Sequence, residues 1–118
     1  MSCYFQTHRD IVWNPSNSVA RLFVQQVHQQ SERLGVPSGL GPLAEDECEI
    51  HVETFASFVD ASVRDFNNTN NAVKKALMRG VTLTCLVLAE RAGLLAFETL
   101  ESNWRDEVVE LSRHMTRP

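Results

Sequence analysis

The stretch from Val81 to Leu100 is the most apolar in the chain, and it constrains what the rest can fold into. Glu90, Arg91 and Glu98 interrupt it, and charge inside a bilayer is costly enough that no membrane span is expected. A segment this apolar that stays in water must be surrounded by other elements, which predicts the central helix of a bundle. With 118 residues, 43% of them apolar and 22% charged, the chain has material for one core and therefore one domain over residues 1–118.

The surrounding elements read as amphipathic helices. After an N-terminal arm at residues 1–13, Asn14-Pro15-Ser16 caps a helix carrying Val19, Leu22, Phe23, Val27 and Leu34, which Gly35 stops. Residues 35–45, rich in glycine and proline, form an irregular linker. A second helix is expected to start near Asp46, where Glu45, Asp46, Glu47 and Glu49 would complement a helix N-terminus. Cys48, Val52, Phe55, Val59, Val63 and Phe66 then recur every three or four residues along one stripe. Asn67–Asn71 is a polar turn, and a third helix carries Val73, Ala76 and Leu77 as far as Gly80. A last helix opens at Ser102 with Trp104, Val108, Leu111 and Met115 on one face. No period-2 alternation or Asn-Gly hairpin signal stands out, so the expected class is all-α.

Several function classes are excluded on chemistry. A net charge of -4 and only two lysines, Lys74 and Lys75, argue against a general nucleic-acid binder, whose affinity needs clustered cations. Cys48 and His51 form a half-site for a metal, without the second pair that structural zinc requires. Gly35-Val-Pro-Ser-Gly-Leu-Gly41 has no preceding strand and no Lys-Ser or Lys-Thr, so it is no phosphate loop. No nucleophile elbow or paired-carboxylate arrangement is present, and neither an enzymatic activity nor a cofactor is expected. Cys3, Cys48 and Cys85 are odd in number and widely spaced, behind an N-terminus without signal-peptide character. They read as small buried hydrophobes in a cytoplasmic protein.

Read as one string, Val73-Lys-Lys-Ala-Leu-Met-Arg-Gly-Val81, then Leu86-Val87, then Ala92-Gly93-Leu-Leu-Ala-Phe-Glu98, resembles the first homology region of the Bcl-2 family. Leu77, Arg79, Gly80, Val81, Val87, Gly93 and Glu98 carry the match. The segment from Ser16-Asn17 to Gly35 is similar to that family's first helix, Phe55–Phe66 stands where its second helix does, and Trp104–Leu111 looks loosely like its second homology region. The short chain looks like the compact viral Bcl-2-like apoptosis inhibitors of large DNA viruses. One departure is plain: Thr82-Leu83-Thr84-Cys85 replaces the Asn-Trp-Gly-Arg signature, so the arginine that pairs with a partner's aspartate is absent at Cys85.

The resemblance implies a Bcl-2-like helical bundle that inhibits apoptosis by sequestering pro-apoptotic Bcl-2 proteins such as Bim. It would act in the host-cell cytoplasm and, through its partners, at the mitochondrial surface. The partner's amphipathic helix would lie in an apolar groove. Its walls would be Val52, Phe55, Phe58, Val59, Val63 and Phe66 on one side, and Val73, Ala76, Leu77, Thr82, Leu83, Thr84, Leu86 and Val87 on the other. Arg79 is the expected substitute for the missing arginine, with Arg91 the other candidate. The competing expectation is a self-associating helical module, a homodimer in which the same stripes pair between two copies.

Overall fold

The computed structural model describes residues 2–94 and 100–117. It overturns the all-helical expectation within its first residues. The N-terminal arm forms two strands, β1 (Tyr4–Gln6) and β2 (Ile11–Trp13), and Glu47–Glu49 forms a third, β3. The sheet order is β2-β1-β3, antiparallel between β1 and β2 and parallel between β1 and β3. Four helices follow the same chain: α1 (Asn17–Leu34), α2 (Val52–Asn67), α3 (Ala72–Arg91) and α4 (Ser102–Ser112). The architecture is α+β, a small mixed sheet against helices, and the Bcl-2-like all-helical bundle is set aside.

The strand signals are present but short. Cys3, Phe5 and Thr7 turn inward while Tyr4 and Gln6 are more open, and Cys48 and Ile50 turn inward between exposed Glu47 and Glu49. That is period-2 alternation, carried by runs too brief to separate from helical spacing. Thr7 makes the β1–β2 turn, its Oγ1 accepting from the Arg9 and Asp10 backbone N–H groups at 3.1 and 3.2 Å. The acids around Asp46 do not start a helix. Ala44 and Glu47 exchange backbone hydrogen bonds across a two-residue turn in which Glu45 and Asp46 have φ of 55° and 63°. Left-handed backbone at both central positions suits Asn-Gly and costs other residues roughly 1 kcal/mol or more each. Glu45→Asn with Asp46→Gly is therefore expected to stabilise the protein by about 1–2 kcal/mol in urea unfolding. An unchanged or lower midpoint would show that the two acids make compensating contacts.

The helix starts and stops follow ordinary capping chemistry. The Ser16 hydroxyl accepts from the Val19 N–H, and Asn71 Oδ1 accepts from the Lys74 N–H at 2.9 Å. α2 begins at Val52, six residues later than the acids suggest. α3 runs through Gly80 without a break and stops at Gly93, whose φ of 74° lets the Gly93 and Leu94 N–H groups reach the Glu90 and Ala89 carbonyls. The expected central segment is thus a helix only as far as Arg91. The Leu95–Glu98 part of the family-like string lies outside the described residues.

The centre of the molecule is the second half of α3. Cys85, Leu86, Val87, Leu88 and Ala89 are consecutive and all buried, which requires neighbours on every side. α2 and α4 flank this helix and β2 touches it. At the sheet end, Phe5 stacks on Trp13 at 5.2 Å and both meet Phe23 of α1 edge-on, joining sheet and helices into one core.

Candidate functional site

Most of the groove walls that the sequence suggests are buried, and what opens between α2 and α3 is a recess of about 210 Å³ lined by Val59, Val63 and Leu86 among others. Phe55, Phe58, Val59 and Phe66 of α2 and Thr82, Leu86 and Val87 of α3 are buried, and Val63 and Leu83 pack half-buried against them. α2 and α3 pack against each other. Val52 is half-buried, and the Thr84 hydroxyl donates back to the Gly80 carbonyl at 2.8 Å. Of the expected wall, only Val73, Ala76 and Leu77 reach the surface as exposed side chains.

Neither arginine is free for a partner's aspartate. Arg79 donates through both Nε and a terminal nitrogen to Glu107, with the Nε bond at 3.0 Å, and its guanidinium lies 5.5 Å from the Trp104 ring centre and 5.8 Å from that of Phe66. It ties α2, α3 and α4 together. Arg91 turns inward and donates to the carbonyls of Val12, Ser112 and Met115 and to the Ser112 hydroxyl, all between 2.9 and 3.0 Å. The cysteines are equally occupied with structure. Burial pushes the Cys48 thiol up to about 12, with Cys3 and Glu49 adding to the effect, and burial raises Cys3 and Cys85 as well. Such thiols are poor nucleophiles at neutral pH. Among the described residues no group of three metal-ligating side chains comes together, and no helix is long and apolar enough to cross a membrane.

A different surface has the character of a binding site. α1 buries Ala20, Phe23, Val27 and Gln30 and leaves the neighbouring row Val19, Leu22, Gln26, Gln29, Arg33 outside. This second row repeats at intervals of three, four, three and four, the spacing of a helix–helix seam. α3 presents Val73, Leu77, Gly80 and Thr84 at the matching intervals of four, three and four. Val19, Leu22, Val73 and Leu77 are 44, 57, 69 and 77% exposed, whereas large apolar side chains on such a row normally face another helix.

Between the two rows runs a channel of about 850 Å³, bordered by Gln26, Gln29, Val73, Leu77 and Val81. It continues past Gln26 and Val81 into a recess of about 380 Å³ lined by Leu22, Gly80, Thr84, Leu111 and Met115. Nothing lies within 4 Å of where a Gly80 Cβ would stand, so internal packing does not require glycine there. A glycine inside a helix nonetheless costs about 1 kcal/mol against alanine. Under the channel, Gln30 is buried. Its Oε1 accepts from Arg33 at 2.8 Å, and its Nε2 has no acceptor among the described residues.

Comparison with known proteins adds the family. The family model described as a family of unknown function, DUF6086, matches residues 1–117. The chain belongs to the DUF6086 family. No curated protein and no solved structure matches it. In this DUF6086 chain, Val19, Leu22, Gln26, Gln29, Gly80 and Val81 line a surface that the sequence reading did not set apart. Val19 and Leu22 share a heptad-like frame with Phe23 and Val27, so spacing alone assigns all of them to one core face.

Proposed function

We propose that the protein is a non-enzymatic interaction module that takes amphipathic helices on the face formed by α1 and the first half of α3. One observation carries the reading: two neighbouring helices leave parallel rows of large apolar side chains exposed at seam spacing, with a channel between them. Helix-in-groove recognition needs such rows, and four apolar anchors are enough to dominate an interface. The surface is not the α2–α3 groove that a Bcl-2-type site implies. Sequestration of a pro-apoptotic helix such as that of Bim is therefore one specific form of the reading, with a different wall.

The test is calorimetry with dilute protein against a panel of amphipathic helical peptides, among them a Bim-type helix and residues 17–34 of this chain. Binding by one or more peptides is expected, and Leu77→Glu should weaken it at least tenfold, or about 1.4 kcal/mol. The reading is lost if no peptide binds and if wild type and Leu77→Glu also agree in their state of association.

A further inference from the structure

We propose that the recess between α1, α3 and the end of α4 is a binding site for a small, uncharged aromatic molecule that carries one hydrogen-bond donor. The site stands on the recess alone, so it and the helix-binding reading above can each fail without the other.

The floor of the recess is made of core side chains. Trp13, Phe23 and Met115 line it although each is more than nine-tenths buried. Trp13 meets Phe23 edge-on at 5.3 Å, and these rings with the Met115 thioether give a polarisable surface against which a flat ring packs well. Val19 and Leu22 stand exposed at the rim, with Val81 and Leu111 half-buried beside them. The volume of about 380 Å³ is at the lower end for small-molecule sites and suits one or two rings. Gly80 keeps that space open. It lies inside α3 and lines the recess, and a Cβ there would meet nothing within 4 Å. Any larger residue would place its side chain in the opening, so the space is kept at a cost in helix propensity.

The chemistry of the lining selects the ligand. Among the described residues it contains no lysine, arginine or carboxylate. Its one titratable side chain, His114, is turned to Glu110 at 3.6 Å, which also takes Arg113 at 3.2 Å. A charged ligand would lose hydration against this lining without gaining a counter-charge from it. Two polar groups remain for orientation. The Thr84 hydroxyl spends its proton on the Gly80 carbonyl at 2.8 Å and can only accept from a ligand, while the Gln26 amide both donates and accepts. A single N–H or O–H on the ligand meets that need. The adjoining channel differs, because Glu32, Arg33 and Lys74 border it and hold water there, which confines an apolar ligand to the recess.

The test is an NMR titration of the full chain with indole, which has the size, the neutrality and the single donor. Saturable shifts are expected at the Trp13 ring N–H and the Gly80 and Thr84 amides, while the Trp104 ring N–H, packed on Phe66 elsewhere in the core, stays in place. Gly80→Leu should weaken indole by about tenfold or more without lowering the melting temperature, and Gly80→Ala should weaken it less and raise the melting temperature. Leu77→Glu, outside the recess, should leave indole binding unchanged. Benzofuran, of the same shape but without a donor, should bind about fivefold more weakly, and an indole carboxylate about tenfold more weakly or worse. The site is overturned if indole gives no saturable shift up to its solubility limit, or if Gly80→Leu binds it as wild type does. Equal binding of the carboxylate or of benzofuran would overturn the stated ligand class.

Discussion

Val87→Asp is expected to leave no cooperatively folded protein. Val87 is fully buried in the middle of a helix whose neighbours Cys85, Leu86, Leu88 and Ala89 are buried too, so no side of the helix can turn the carboxylate toward water. An uncompensated charge there costs more than about 4 kcal/mol, and a domain of this size has roughly 5–15 kcal/mol to lose. Leu86→Ala, which removes volume without adding charge, should remain folded and lose about 2–5 kcal/mol. The same aspartate placed at Leu77 on the same helix should change monomer stability by about 0.5 kcal/mol or less, because that side chain is already in solvent. Far-UV circular dichroism and thermal melts of the three variants decide the matter. A soluble Val87→Asp protein with a sharp melt would mean that α3 is not the centre of the fold.

Arg91→Met should cost about 3 kcal/mol and lower the melting temperature by on the order of 10 °C. The guanidinium bonds the edge of β2 at Val12, the end of α4 at Ser112 and the following Met115, three segments distant in sequence. It also sits in the last turn of α3, where positive charge is favoured. Burial lowers its proton affinity somewhat, which is the desolvation that these bonds offset. Methionine keeps the stem and leaves the carbonyls without their donor. Arg91→Lys should recover only part of the loss, since an ammonium cannot span all three segments as a planar fork does. Amide exchange supplies the specific signature: the Asn14 N–H, which bonds the Thr116 carbonyl at 3.1 Å, should become fast in Arg91→Met. A melt within 2 °C of wild type (about 0.5 kcal/mol) would show that water serves these carbonyls equally well.

The sequence alone determined the helices that carry long, uninterrupted signals. The cap, which falls on Ser16 and leaves Pro15 outside the helix rather than in its first turn, the stop at Gly35, the Asn67–Asn71 turn, the opening at Ser102 and the buried character of Cys85–Ala89 follow from local backbone chemistry and composition, and all appear in the fold. The sheet depended on tertiary structure, because a three-residue strand has no stability of its own. β1 exists only between β2 and β3, and β3 comes from more than forty residues away, so its Glu-Cys-Glu-Ile alternation carries meaning only once β1 is beside it. The division of apolar rows into core and surface was likewise a tertiary decision. Val19 and Phe23, or Leu77 and Cys85, satisfy the same periodicity, and which of them meets water depends on which neighbouring helix is present. α2 packs along α3, the channel lies between α1 and α3, and Arg79 is claimed by Glu107 across a sequence distance that no spacing rule connects.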